Sequence, residues 1–229
     1  FHPKFSVRGD FLYGAISGDD KFSIIHKKRR LTFNSEIFEF SLSFEYTPVN
    51  LYEHDISPFF FLGISRFKFS PFVKAENGSK IILYELSTEG QGFYKDRKPY
   101  NLRQFNIPFG GGFMWVISNR FRLGITGGIR KTFTDYLDDV STTYIDQNLL
   151  QQKRGLTAVR YAFRGNEADP TVPYPGDGAM RGNPETKDWY YFCGINLRLR
   201  IAEPRGRERS YKYHPPKFKK GNVRCPVVF

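Results

Sequence analysis

Four aspartates, Asp135, Asp138, Asp139 and Asp146, crowd one stretch of the chain and are its densest set of chemically capable side chains. Carboxylates alternating with carbonyls can hold calcium, but this spacing matches no EF-hand loop. Glycosidic acid–base chemistry needs two carboxylates facing each other in space, which linear order does not establish. The expected role is structural, with Asp135, Asp138 and Asp139 bonding backbone amides or neighbours such as Arg130 and Lys131. The histidines His2, His26, His54 and His214 are scattered, and neither a His-Glu-x-x-His nor a Gly-x-Ser-x-Gly motif occurs. Gly110-Gly111-Gly112 is followed by no Gly-Lys-Ser/Thr and no helical pattern, so a phosphate cradle is not expected there. Cys193 and Cys225 are too few for a disulfide framework or a four-ligand zinc site. Cys193 lies on an apolar strand face and is expected to act as a small hydrophobe. The expectation is therefore no enzyme, no cofactor and no bound metal.

The elements that would position these groups are strands. Ile37 to Thr47 alternates strictly, with Phe38, Phe40, Leu42, Phe44 and Tyr46 on one face and Glu39, Ser41, Ser43, Glu45 and Thr47 on the other. A soluble sheet would bury those aromatics. A transmembrane barrel would turn them to lipid and place the glutamates in a polar lumen. Phe (24) and Tyr (14) are abundant beside two Met, which favours strands. Mean hydropathy is -0.49, and no apolar run is long enough for a membrane-spanning helix. The net charge of +12 invites nucleic acid. Its cations, however, lie largely in strands or after Ala202, with no nucleic-acid-binding motif beside them.

Five further strands are predicted. Lys4 to Ser17 opposes Phe5, Val7, Phe11 and Tyr13 to Ser6, Arg8, Asp10 and Gly14. Pro58 to Phe69 breaks phase between Leu62, Ile64 and Phe67, Phe69, and a bulge near Gly63 would explain the break. Leu102 to Val116 alternates Phe105, Ile107, Phe109, Phe113 and Trp115 with Gln104, Asn106 and Gly110. Its Pro108 lacks a ladder donor and calls for an edge or a bulge. Phe121 to Arg130 returns as a hairpin, and Asp188 to Ala202 is the last strand, Trp189 to Ile201 lining its apolar face.

Long connections (18–30, 70–101, 131–187, the last with a helical part around 143–163) alternate with short ones (48–57, 117–120). That separation of long loops from short turns describes an antiparallel, up-and-down outer-membrane β-barrel over residues 1–202. Arg8, Asp10, Glu39, Glu45, Arg122, Arg130, Arg198 and Arg200 would face its lumen, pairing into a plug rather than lining a channel. Closure on eight strands needs one more hairpin, expected before Phe1. The run Lys27 to Arg30 falls in a long loop, where a solvated surface is the first reading and contact with lipopolysaccharide phosphates the second.

Gly127 to Asp146 contains Thr-Asp-Tyr-Leu-Asp-Asp-Val-Ser, and other pieces follow in order: Gly14 to Asp20, Thr88-Glu-Gly-Gln-Gly92, Ile107 to Gly112, Arg181-Gly182, Asp188 to Phe192 and Cys225-Pro226. Together they resemble the PorG-type outer-membrane barrel family of Bacteroidota, a component of the type IX secretion system. The resemblance implies a non-enzymatic barrel that anchors a periplasmic ring, built from a lipoprotein and its partner, to the outer membrane. In that setting the tail 203–229 lies in the periplasm. It carries Arg205, Arg207, Arg209, Lys212, Lys217, Lys219, Lys220 and Arg224, is too charged and proline-broken to form a core, and is expected to order on an acidic partner surface. The alternative is a small stand-alone barrel that binds a ligand or lipopolysaccharide.

Overall fold

The structure is a computed structural model that describes residues 4–20, 30–51, 54–75, 77–118 and 120–199. Its strands are β1 (Phe5–Asp19), β2 (Thr32–Tyr46), β3 (Ile56–Lys74), β4 (Lys80–Ile82), β5 (Arg103–Val116), β6 (Phe121–Thr132) and β7 (Trp189–Leu199). Six pair antiparallel in the order β1-β2-β3-β5-β6-β7, and β4 pairs with β3. They curl into a nearly closed, all-β barrel with one unpaired seam between β1 and β7. The order follows the chain because each connection joins spatial neighbours.

Polarity is inverted relative to a soluble sandwich. Along β2 the outward Phe38, Phe40, Leu42 and Phe44 are each at least half exposed, while Ser35, Glu39, Ser41, Ser43 and Glu45 are buried. The same inversion holds in the other barrel strands, with Val7, Phe11 and Tyr13 in β1, Phe60, Leu62 and Ile64 in β3, and Tyr191, Ile195 and Leu197 in β7 exposed. A strand offers alternate residues to opposite faces, so a strict alternation specifies this arrangement once the small, charge-paired inside is full.

Two expectations about β3 and β5 are corrected. The β2–β3 register runs without interruption from Tyr46↔Phe60 to Asn34↔Phe72, so Gly63 carries no bulge. Phe59, Phe61, Phe67 and Phe69 point inward and Phe60, Leu62 and Ile64 outward: the strand is aromatic on both faces rather than out of phase. Gly63 serves close approach instead, since a Cβ there would run into Leu42 O and the Ser43 side chain. Pro108 sits in a central strand with the same register on either side of it. The β3–β5 pairing lapses between Leu62↔Phe109 and Ser65↔Asn106, so the missing donor is met by a gap in the ladder instead of an extra residue.

The 70–101 and 131–187 connections leave one end of the barrel and are more ordered than polar loops. β3 runs on to Lys74 and turns into β4, so the expected loop from residue 70 begins with a hairpin. Helices α1 (Leu83–Leu86), α2 (Gln147–Arg154), α3 (Leu156–Ala162) and α4 (Gly165–Ala168) follow. Asp146 caps α2 by accepting from Leu149 N at 2.8 Å. Ile145, Leu150, Ala158, Val159 and Ala162 form a small core of their own, and Tyr161 joins Leu83 and Val73 in another. The 70–101 and 131–187 connections thus build a packed cap.

Candidate functional site: a filled lumen and its cap

Inward side chains stack in tiers from the short-turn end upward. In the first, Glu45 receives Arg198 through Nη1 at 2.6 Å and Nη2 at 2.9 Å, and Arg8 Nη1 at 2.9 Å. Arg8 also bonds Asp10 at 2.7 Å. The Arg8 guanidinium lies 4.4 Å over the Phe61 ring and that of Arg198 lies 5.0 Å over Phe59. Planar, weakly hydrated guanidiniums tolerate such aromatic faces. Because Arg8 belongs to β1 and Arg198 to β7, Glu45 joins the two edges of the seam by charge where backbone pairing stops.

The second tier centres on Glu39, only 1% exposed. Arg130 Nε donates to it at 2.9 Å, Asn106 Nδ2 at 2.9 Å, and the Tyr190 hydroxyl donates as well. Arg130 stacks 4.2 Å over Phe192. Above this, Ile37, Phe67, Phe69 and Tyr190 meet Tyr100 and Leu137, which descend from the cap. Tyr100 stacks on Phe69 at 6.1 Å and on Tyr136 at 4.3 Å. The 70–101 and 131–187 connections therefore close the barrel mouth together with side chains.

The cap is held by a buried polar cluster. Glu89, fully buried, accepts from Arg181 Nη1 at 3.0 Å, from Ser141 N at 2.9 Å, and from Thr142 through N at 3.0 Å and Oγ1 at 2.6 Å. Arg181 also donates to Asp139 O at 2.6 Å. Asp139, in the left-handed region at φ 64, accepts from the Thr88 hydroxyl at 2.5 Å and the Tyr100 hydroxyl at 2.7 Å. Burial pushes the Asp139 carboxyl up to about 7, against the pull of Arg181 and the two hydroxyls. Burial likewise raises Asp188 to about 7 and Asp135 to about 6, with Asp138 adding repulsion to both. Burial works against the charge of Arg181, and Glu89 and Asp139 more than offset it, so its ionisation is strengthened. Glu89 has its acceptor sites occupied by cap donors, which makes it a fastener rather than a reactive acid.

The expected aspartate partners are corrected by this geometry. Asp138 does accept from a backbone amide, Val140 N at 3.0 Å, but Asp139 turns to Thr88 and Tyr100, and Arg130 is committed to Glu39. Asp146 is a helix cap. Of the lumen set, Arg8, Asp10, Glu45 and Arg198 form one cluster and Glu39 and Arg130 another. Arg122 lies inward beside Arg198 in the β6–β7 register, and Arg200 lies outside the described residues. So do Arg205, Arg207, Arg209, Lys212, Lys217, Lys219, Lys220, Arg224, Cys225, His2, His26, His214 and Lys27 to Arg29. Cys193 is a free, exposed thiol on the outer face. Among the described residues no group of three or more His, Cys, Asp or Glu could hold a metal ion.

Glu89, Arg181, Tyr100 and Tyr190 had no physical reading in the sequence, although Thr88 to Gly92 and Arg181-Gly182 stood out as motifs. Their bonding is remote: the Glu89–Arg181 bond spans 92 positions. A charged residue beside glycine in an otherwise polar loop is the only local hint. A cavity of about 690 Å³ opens on the cap surface between the β3–β4 hairpin and α3, lined by Leu156, Tyr161, Phe163, Tyr174, Asn77 and Glu167 among others. It does not include the Glu89 cluster. No helix among the described residues is long and apolar enough to cross a membrane, a criterion that says nothing of strands. No curated protein matches the chain, and no solved structure matches it. The family model described as "Domain of unknown function (DUF6089)" matches residues 2–155, most of the barrel and part of the cap, and the chain belongs to that family.

Proposed function

We propose that the chain is an outer-membrane β-barrel that works as a structural subunit of a type IX protein secretion system, binding and anchoring the periplasmic ring to the membrane. The observation that carries the membrane part is the inverted wall: Phe40 is 59% exposed and Glu39 beside it is 1% exposed. A water-soluble monomer rarely tolerates so continuous an apolar surface. The belt spans Phe5 to Ala15 in β1, Phe38 to Tyr46 in β2, Ile56 to Ile64 in β3 and Phe105 to Trp115 in β5. Each is close to the roughly 9–11 residues that a tilted strand needs to cross a bilayer.

Between β2 and β3 both margins of the belt step in the same sense. Phe38, its upper limit in β2, pairs with Lys68, beyond the limit in β3. At the lower limit Tyr46 pairs with Phe60, inside it. A lumen filled by ion pairs, rings and the cap favours an anchoring role over conduction. The resemblance to the PorG-type family supplies the partners, the ring lipoprotein and its companion, with Arg205 to Arg224 of the tail as the contact.

Extraction of the full chain in mild detergent is expected to bring the ring proteins with it, and deletion of 203–229 to release them. Undiminished co-purification after deletion would refute the tail as the contact. A small lone particle from the intact chain would favour the second reading, a stand-alone barrel that binds a ligand or lipopolysaccharide. That reading is supported by the cavity of about 690 Å³ in the cap.

A further inference from the structure

Just beyond the upper margin of the belt the outward positions turn basic in β3 and β5, and the adjacent β6 carries outward Lys131 opposite Ile107. Arg66 and Lys68 lie beyond Ile64 in β3, Arg103 beyond Phe105 in β5, and Lys131 beyond Ile129 in β6. All four are exposed, and none has a carboxylate partner among the described residues. Lys68 and Arg103 stand directly opposite each other in the β3–β5 register. Like charges in that position repel across about 4.5–5.5 Å between Cβ atoms and destabilise a sheet. The neighbouring sector lacks this tension, because Glu36 of β2 meets Lys80 of β4 at 2.7 Å. Lys131 and Arg66 lie over aromatic rings, 5.4 Å from Trp189 and 6.0 Å from Phe105. Such pairs suit the polar edge of a bilayer, where an aromatic body stays with acyl chains and a cation reaches headgroups.

We propose that Arg66, Lys68, Arg103 and Lys131 bind the phosphate of a bilayer lipid whose acyl chains lie on the adjoining apolar belt, in the leaflet on the long-loop side. The proposal rests on the outer-membrane reading. A phosphorylated headgroup supplies the anion that relieves the Lys68–Arg103 repulsion. The apolar strip of Ile64, Phe105 and Ile129 directly below supplies the seat for its chains, which a free anion does not use.

The test reconstitutes the full chain into phosphatidylcholine vesicles doped with either bis-phosphorylated lipid A or its dephosphorylated form, then counts retained lipid by native mass spectrometry. Wild type is expected to retain the phosphorylated form about tenfold or more over the other, because clustered cations favour an anionic headgroup. R66Q/K68Q/R103Q/K131Q is expected to lose that preference. Equal retention of the two lipids by wild type would overturn the proposal without any variant, as would an inserted, heat-modifiable variant that keeps the preference. Displacement by millimolar inorganic phosphate would assign the patch to a free anion instead, and overturn the lipid. Protease protection of the strands reports insertion separately. Failure to insert overturns the membrane reading and this proposal together, whereas insertion without preference overturns this proposal alone.

Discussion

The Glu39–Arg130 pair sets the hardest test of the filled lumen. Both side chains are almost fully buried, 1% and 3% exposed, so neither has water to fall back on. Breaking such a pair from one side costs about 3–5 kcal/mol, because the survivor is left charged in a poor solvent. The two sides are unequal here. Arg130→Met leaves Glu39 with its Asn106 and Tyr190 donors, and a carboxylate can also shed its charge by taking a proton. Glu39→Ala leaves a guanidinium that cannot deprotonate, and it strips an acceptor from Asn106 and Tyr190 as well. Glu39→Ala is therefore expected near 5 kcal/mol and Arg130→Met near 3 kcal/mol. Glu39→Leu with Arg130→Met together should recover most of the loss, since apolar replacement of a whole buried pair is close to neutral. Urea unfolding of the folded chain in detergent micelles, followed by the fluorescence of Trp115 and Trp189, measures all three. Costs below about 1 kcal/mol for either single variant, the scale of an exposed pair, would refute the reasoning. Strictly additive single and double variants would refute it equally.

Other consequences are open to direct measurement. Asp139, Asp188 and Asp135 hold carboxyls raised above their unfolded values, so the folded cap binds extra protons and its stability falls as pH rises from about 4 through about 7. Limited proteolysis of the cap should be slower at pH 5 than at pH 8, and Asp139→Asn should flatten the difference; a pH-independent rate would count against the buried cluster. Arg181→Met should release the cap by about 3–5 kcal/mol, read as hydrogen exchange at Ser141 and Thr142, while the β2–β3 amides stay protected. Gly112→Ala drives a Cβ into Ile125 O and should cost at least 1–3 kcal/mol, roughly the overpacking scale. Outward Gly127→Ala, with open space around its Cβ, should be tolerated; equal effects would contradict the facing assigned to the two glycines. Phe60→Arg should cost about 2–4 kcal/mol in a bilayer and little in a water-soluble state.

Strand identity and facing were legible residue by residue, because alternation is a property of neighbours in the chain. Glu39 and Phe40 declare opposite faces without any tertiary information, and the separation of long from short connections follows from where strands end. The apparent phase break at Gly63 has a specific physical origin: phenylalanine occupies both faces of β3, because this lumen also carries Phe59, Phe61, Phe67 and Phe69. Once charges are paired, aromatic rings are good partners for guanidiniums, and hydropathy does not distinguish a ring on the outer wall from a ring beneath Arg8 or Arg198.

What the sequence alone determined is the two-faced strand, its polarity and the order of connection, since those depend on spacing of one or two residues. Which acid meets which base was decided only in three dimensions. Glu45 is shared by Arg8 and Arg198 because curling brings β7 across to β2, and Glu89 finds Arg181 because the 70–101 and 131–187 connections fold over the same mouth. Pairing of that kind is set by closure of the sheet and packing of the cap, and it leaves no periodic trace along the chain.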